Sequence, residues 1–153
     1  MLHKFLFFLS FLMAVVVAAP AFAFDEINTG YFNNLALQGY DSTGYFSSKK
    51  ANEGDKSLTV TWKGAEWRFA DAKSRDLFAA NPGKYAPQYG GYCSNQMSLG
   101  NLSDIDPGVW LIHGDKLFFF GHKEGKDRWE RTGIAERIAD ADRNWLLYLA
   151  DKK

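Results

Sequence analysis

The sequence has 153 residues but only one cysteine, Cys93. A single cysteine excludes an internal disulfide and any zinc site built from several thiolates of one chain. The 18 basic and 18 acidic residues cancel, so the chain lacks the concentrated positive charge on which nucleic-acid binding depends. It also lacks a serine nucleophile elbow, a phosphate-cradling glycine loop and a paired-histidine metal motif, so no enzyme class is indicated.

The first 23 residues are predicted to be a secretory signal peptide. Lys4 precedes an uncharged apolar run at residues 5–19, and a small-x-small cleavage pattern follows at residues 21–23. Cleavage after this pattern would leave residues 24–153 as a periplasmic or secreted protein without stable membrane association. The alternative is an uncleaved anchor, because an apolar run of about 20 residues is long enough to span a bilayer.

The remaining sequence predicts two β-hairpins and shows no internal repeat. Apolar and polar residues alternate over residues 58–69 around a turn at 63–64. A second hairpin covers residues 109–120 around a turn at 114–115. This second hairpin is apolar on both faces, which predicts that its strands lie centrally in the sheet. A further short strand is expected at residues 35–41.

Helices are predicted between and after the hairpins. Asp71 is a candidate N-cap for a helix over residues 72–80, and an amphipathic helix begins at Ile134. The expected fold is therefore α+β, with a small antiparallel sheet of two hairpins, packed helices and an amphipathic C-terminal helix. Residues 24–34 are expected to form a lead-in to a domain spanning residues 35–153.

The most distinctive segment is NPGKYAPQYGGYC at residues 81–93. Three shorter segments accompany it, namely QGYD at 38–41, WRFA at 67–70 and GDKL at 114–117. Over roughly residues 35–130 these segments together resemble the YHS-domain family, and they look most like its exported, stand-alone branch. The resemblance implies a small α+β fold with a metal-associated site formed partly by the segment that ends at Cys93.

At the place of the family's Tyr-His-Ser triplet, this chain has Tyr92-Cys93-Ser94, with cysteine where histidine would stand. Outside the predicted signal peptide, the soft and imidazole ligands are Cys93, Met97, His113 and His122. If residues 91–98 are helical, Cys93 and Met97 point to the same side. Soft sulfur favours Cu(I) and imidazole serves either oxidation state, whereas methionine is a poor zinc ligand.

We therefore hypothesise a copper site in which Cys93 anchors the ion, Met97 is a weaker ligand, and His113, His122 or both complete the set. The alternatives are a buried inert thiol, a core methionine and two exposed histidines in surface connections. A small-ligand pocket is also predicted beside the thiol, because two adjacent glycines permit positive φ and close backbone approach. Its predicted lining residues are Tyr40, Asp41, Tyr45, Gly90, Gly91 and Tyr92.

The function these features favour is that of an exported module that handles a metal or binds a small ligand, with copper the first candidate and catalysis disfavoured. Its expected partners are a metal ion or a small ligand, and not nucleic acid. One alternative is a thiol-based redox or protein-interaction module that pairs with a partner protein through Cys93. Another is an accessory structural protein without chemistry of its own.

Overall fold

The computed structural model describes residues 24–30 and 33–151, so the predicted signal peptide lies outside the described residues. The α+β class is confirmed. The elements are, in chain order, a 3₁₀ turn Ala36–Gly39, helix α1 Gly44–Ser47, strands β1 Asp55–Trp62 and β2 Ala65–Phe69, helices α2 Ala72–Ala80 and α3 Pro82–Tyr85, a 3₁₀ turn Gln88–Gly91, helix α4 Ser94–Ser98, strands β3 Asp106–His113 and β4 Lys116–Phe120, and helices α5 Lys123–Arg131 and α6 Ile134–Asp151.

Both predicted hairpins are present, each closed by the predicted two-residue turn. Lys63 and Gly64 have φ of 50° and 76°, and Gly114 and Asp115 have φ of 55° and 58°. Positive φ at both turn residues matches the right-handed twist of the flanking strands. The two hairpins nevertheless form separate two-stranded sheets, β1 with β2 and β3 with β4. The strands of the second hairpin are therefore not central strands of a larger sheet.

The second hairpin is apolar on both faces because helices cover both faces. Trp110 and Phe119 are cross-strand partners, and both rings pack against Tyr45 of α1, with ring centroids 5.3 and 5.0 Å away. On the opposite face, Phe118 packs against Trp129 of α5 at 6.1 Å. Neighbouring strand residues point to opposite faces, so a two-stranded ribbon between two helices needs apolar residues at every position.

The fold repeats one structural unit, which contradicts the sequence prediction of no repeat. A 3₁₀ turn, a short helix, a hairpin and a longer helix occur twice, in residues 35–80 (the first half) and 87–131 (the second half). The strands and the final helix have 8, 5 and 9 residues in each half, and each begins 51 positions later in the second half. The sequence does not reveal this structural repeat, because few equivalent positions of the two halves carry identical residues.

The two halves share their packing anchors rather than their sequence. In the first half, Trp67 and Phe69 of β2 pack against Phe78 of α2, with ring centroids 4.9 and 5.1 Å away. In the second half, the equivalent residues lie 51 positions later, and Phe118 and Phe120 of β4 pack in the same way against Trp129 of α5. All six rings are buried, so each half has its own aromatic wedge between hairpin and helix.

The short strand expected at residues 35–41 is not formed. Leu35 and Tyr40 each make an isolated bridge, and the chain between them turns as a 3₁₀ segment. Leu37 and Gln38 have φ of 50° and 54°, a left-handed conformation that ends strand pairing. The second half has the same feature at Tyr89 and Gly90, so the turn belongs to the repeated unit.

The predicted helices over residues 72–80 and from Ile134 are confirmed. Asp71 caps α2 as predicted, since its carboxylate accepts a hydrogen bond from the Ser74 N–H at 2.7 Å. The lead-in packs on the domain, because Ile27 is only 5% exposed and the Asn28 N–H donates to the Gly90 carbonyl at 2.8 Å.

Candidate metal and thiol site

Cys93 lies at the junction between the second 3₁₀ turn and α4. Its N–H donates to the Ser103 carbonyl at 2.9 Å, and its backbone forms a parallel bridge with Phe119 of β4. The side chain is 4% exposed, and its Sγ accepts a hydrogen bond from the Gly121 N–H at 3.3 Å. Hydrogen bonds to cysteine sulfur are one means by which proteins tune metal-bound thiolates.

Met97 is fully buried one turn further along the chain. Helix α4 covers only Ser94–Ser98, so Cys93 is its N-cap, with an extended backbone, and not a residue of its first turn as the prediction of a helix over residues 91–98 implied. The Met97 N–H donates to the Cys93 carbonyl at 2.9 Å, and the Met97 carbonyl accepts from the Asn144 amide of α6 at 2.9 Å. Backbone hydrogen bonds thus hold both sulfur residues in one segment, 93–97.

The equivalent of Cys93 in the first half is Asp41. Residues 39–42 read Gly-Tyr-Asp-Ser, and residues 91–94 read Gly-Tyr-Cys-Ser. The Asp41 carboxylate accepts from the Ala70 N–H at 3.0 Å, just as the Cys93 sulfur accepts from the Gly121 N–H. In each half this donor immediately follows the second strand of the hairpin. The repeated position is therefore an anchor for a backbone N–H.

The first half provides a stronger anchor than the second. Asp41 also accepts from the N–H and the hydroxyl of Thr43, at 2.8 and 2.7 Å, and it is 1% exposed. A carboxylate is a charge-assisted acceptor, whereas cysteine sulfur is a weak one. A purely structural role would be served better by a carboxylate than by the thiol of Cys93.

His122 is the N-cap of α5 and is equivalent to Asp71. Its Nδ1 accepts from the Gly125 N–H at 3.1 Å. The Glu124 carboxylate is 3.2 Å from the same nitrogen, but that side chain is 79% exposed, so the backbone donor decides the tautomer. A neutral imidazole carries one proton, which then resides on Nε2 and leaves that nitrogen without a lone pair for a metal. Capping and metal binding therefore compete at His122.

His113 lies far from the thiol. It is exposed at the end of β3, where it pairs with Lys116 across the hairpin turn. Gly121, the donor to the Cys93 sulfur, is five residues beyond Lys116. At about 3.3 Å per strand residue this separation is roughly 16 Å. Cys93 and Met97 are thus buried residues four positions apart in one segment, and His113 lies outside that segment.

Three of the six predicted pocket residues are engaged in structural contacts. Asp41 is fully used by its three donors, and Tyr45 donates its hydroxyl to the Pro107 carbonyl at 3.0 Å. Tyr40 forms a bridge with Glu53. The contacts of Tyr40 and Asp41 lie within the first half, and the Tyr45 hydroxyl joins the first half to β3.

The other predicted pocket residues hold the lead-in. A side chain at Gly90 would overlap the Glu26 carbonyl oxygen, so glycine is required there for close approach of two backbones. The Asn28 side-chain amide donates to the Gly91 carbonyl at 3.3 Å, and the Tyr92 hydroxyl donates to the Asp25 carbonyl at 2.9 Å. Tyr92 does line a hollow of about 240 Å³ between the lead-in and residues 102–104, but Cys93 does not.

Two buried tyrosines are held in the neutral form. Burial raises the pKa of the Tyr45 hydroxyl far above its ordinary value. Burial also raises the pKa of Tyr89, whose hydroxyl donates to the Asp142 carboxylate of α6 at 2.9 Å. Neutral tyrosines with satisfied hydroxyls are structural members of the core.

A buried acceptor without a partner lies two residues after Cys93. Asn95 is 2% exposed, and its Oδ1 has no hydrogen-bond partner. Ser94 Oγ is likewise unpartnered, but so is its equivalent, Ser42 Oγ, in the first half. Among the described residues, the Asn95 oxygen and the Trp129 Nε1 donor are therefore the unpartnered buried atoms particular to the second half, and only the first of them is an acceptor. Buried polar atoms are nearly always paired, so the unpartnered Asn95 oxygen is an acceptor available to a water molecule or a cation.

Conventional metal centres and membrane spans are missing from the described ranges. Within residues 24–30 and 33–151, no three His, Cys, Asp or Glu side chains are grouped to hold a metal ion. Over the same residues, no helix is long and apolar enough to cross a membrane. The two sulfur atoms of Cys93 and Met97 remain as a donor set suited to Cu(I) rather than to zinc.

Comparisons with protein-family models, with curated proteins and with solved structures found no match. The resemblance to the YHS-domain family stays a prediction.

Sequence reasoning missed the features that give Cys93 its setting. The Gly121 donor depends on how the end of β4 packs against Cys93, and the His122 cap is made with the N–H of Gly125. One signal was present in the sequence, since Gly-Tyr-Asp-Ser and Gly-Tyr-Cys-Ser recur 52 positions apart. Identity at three of four positions is too short a match to indicate a repeat without the hairpins and helices that follow it.

Proposed function

We propose that this chain is an exported binding module, related to the YHS-domain family, that holds Cu(I) through the sulfur atoms of Cys93 and Met97. The observation that carries the proposal is the exchange of an anchoring carboxylate for a thiol at equivalent positions of the two halves. Asp41 fulfils the anchoring role with three hydrogen bonds. Cys93 has one donor on its sulfur, and a second buried sulfur residue follows within a helical turn.

Copper is the metal that this donor set favours. Thiolate and thioether are soft ligands, and soft ligands select Cu(I) among the common biological metals. Zinc usually takes four ligands of Cys, His, Asp or Glu type, and the segment offers one. Burial of Cys93 and Met97 supports the same choice, because an apolar shell limits solvent access to the ion.

The experiment uses the full chain produced with its leader, so that the mass of the recovered protein also reports whether residues 1–23 are removed. The protein is incubated anaerobically with Cu(I) or Zn(II), desalted, and analysed for bound metal by mass spectrometry. We expect about one Cu(I) per chain and no retained zinc. Retention of zinc in preference to copper would contradict the proposal.

The two halves supply matched variants. Cys93→Asp introduces the anchor that the first half uses, so the variant is expected to fold while losing copper. Met97→Leu keeps the buried volume and removes the thioether, and copper affinity should fall by about tenfold or more. His122→Asp installs the cap used at Asp71 and should leave copper binding unchanged, as should His113→Gln on the distant hairpin turn.

The alternative function, a thiol that pairs with a partner protein, gives a different result. Cys93 is 4% exposed, so an intermolecular disulfide requires local opening of α4. Recovery of a mixed disulfide from cells, lost in Cys93→Ser, together with no copper retention, would replace the metal proposal. Copper retained equally by the wild type and by a folded Cys93→Asp variant would show that the ion is bound elsewhere.

A further inference from the structure

The second hairpin has an open edge. Strand β3 pairs with β4 only, and none of the isolated bridges in the described chain involves it. His113 and Lys116 flank the two-residue turn as a hydrogen-bonded pair, and such pairs alternate along an antiparallel ladder. The backbone N–H and C=O groups of Trp110 and Ile112 therefore point away from β4, toward the open edge.

A groove of about 640 Å³ follows this edge, and the consecutive residues Gly108 to Ile112 line it. Consecutive strand residues face opposite sides of a sheet, so a groove that touches all of them straddles the edge rather than lying on one face. Lys49 lines one side, and Lys123 and Lys126 of α5 line the other. The volume is within the range of natural ligand sites.

Lysines flank the groove on both sides. Lys123 and Lys126 each pair with a carboxylate of α5, at 2.6 and 3.7 Å, whereas Lys49 has no ion pair within the described residues. The aliphatic stems of lysine side chains can cover the apolar floor while their ammonium groups reach a ligand. An apolar strand edge with cations on both flanks fits an extended chain that carries negative charge.

We propose that β3 accepts an added strand from an acidic peptide segment of a partner protein. Main-chain hydrogen bonds to Trp110 and Ile112 would provide affinity, and the lysines would select the sequence. Since neighbouring residues of the added strand point to opposite sides, two consecutive acidic residues place one carboxylate toward Lys49 and the other toward Lys126. The lining residues of this groove include neither Cys93 nor Met97, and the inference does not depend on copper binding.

Two other occupants fit less well. A second copy of the chain would bring its own three lysines against these lysines, and like charges that meet across an interface disfavour pairing. Residues 1–23 contain no acidic residue, so the leader cannot neutralise the groove. Lysines at an open edge can also serve only to prevent aggregation, and the test distinguishes that case.

The probe is the synthetic peptide acetyl-Thr-Val-Glu-Glu-Val-Thr-amide, titrated into the ¹⁵N-labelled full chain as recovered from cells. We expect saturable amide shifts with the largest changes at Trp110 and Ile112, and weaker binding at higher salt. The same peptide with N-methyl groups on alternate backbone nitrogens should not bind, because the strand ladder would be lost. A peptide with Lys-Lys in place of Glu-Glu should not bind either.

The variant Lys49→Glu combined with Lys126→Glu should weaken binding by about tenfold or more. Lys56→Glu provides the matched control, since Lys56 is an exposed lysine on β1, the equivalent strand of the first half. It should leave the affinity within about twofold. Absence of saturable shifts up to about 1 mM peptide would overturn the proposal and leave the lysines a protective role. Equal binding of the N-methylated peptide, or self-association that protects the same amides, would also overturn it.

Discussion

The two halves of this protein share one backbone plan but use different residues at its anchor points. The first half anchors its hairpin with Asp41 and caps its helix with Asp71. The second half uses Cys93 and His122 for the same two bonds. The comparison shows that the plan tolerates exchange of the acceptor atom. A weaker acceptor in the second half therefore indicates a position free to serve another purpose.

The two hairpins also differ, in how much of each strand is buried. β1 is exposed at alternate positions and has one face toward solvent, while the residues of β3 are partly buried on both faces. The first hairpin is thus a conventional half-buried ribbon packed against α2. The second hairpin is enclosed by α1 and α5, carries the lysine-lined edge, and forms a backbone bridge with Cys93 through Phe119. Both proposals therefore concern the second half.

The largest effect is expected from removing the first-half anchor. Asp41→Ala would leave the N–H of Ala70 and both donors of Thr43 without an acceptor. We expect a loss of about 3 kcal/mol in the free energy of unfolding, measured by urea denaturation. A loss below about 1 kcal/mol would show that the anchor position contributes little in the first half.

Cys93→Asp is the reciprocal change. The new carboxylate can accept from the Gly121 N–H, as Asp41 accepts from Ala70, so the free energy of unfolding should fall by less than about 1.5 kcal/mol. Cys93→Ala is the matched control, since it removes the acceptor without replacing it. If Cys93→Asp is as destabilising as Asp41→Ala, the two positions are not interchangeable anchors.

His122→Asp tests the equivalence of the two caps. Aspartate is among the best N-cap residues, and its negative charge also interacts favourably with the helix N-terminus. We expect the melting temperature to rise by about 3 °C. His122→Ala, which removes the cap altogether, should lower it, and a rise in both variants would show that the imidazole is not the cap that matters.

The smallest effect concerns pH. The Ser74 N–H, which donates to the Asp71 carboxylate, holds the pKa of that carboxyl below its ordinary value of 3.8. The unfolded chain therefore takes up this proton first, so the stabilisation is complete above that value and is lost as the pH falls below it. Asp71→Asn keeps a capping oxygen that does not titrate. Urea midpoints measured at pH 7 and pH 3 should differ less in Asp71→Asn than in the wild type.

Much of the fold was readable from the sequence where local rules act. The alternation around Lys63-Gly64 and the cap at Asp71 depend on neighbours within a few residues, and both predictions are confirmed. The residues of the second hairpin were predicted correctly, but its predicted position at the centre of a larger sheet was wrong. Apolar residues on both faces do not reveal whether strands or helices cover those faces. α5 was not predicted, since its N-cap is a histidine.

The candidate site was less predictable. The short inventory of soft ligands identified Cys93 and Met97, which the structure places in one buried segment. It could not show that His113 lies beyond the length of β4 or that His122 is engaged as a cap. The position of His113 depends on how the hairpin is placed against residues far away in the chain. The His122 cap is a local contact with Gly125, but histidine is not among the residues that usually cap helices.

By itself, the sequence determined the turns, the caps, the amphipathic α6 and the presence of a single thiol, because these follow from local backbone preferences and from composition. Only the tertiary structure decided that the chain is a twofold repeat, that Cys93 is the counterpart of Asp41, and that β3 keeps an open edge between lysines. These features arise from contacts between residues well separated in the chain, such as Cys93 with Gly121 and Asp41 with Ala70, where burial and backbone pairing select partners that a local sequence pattern does not indicate.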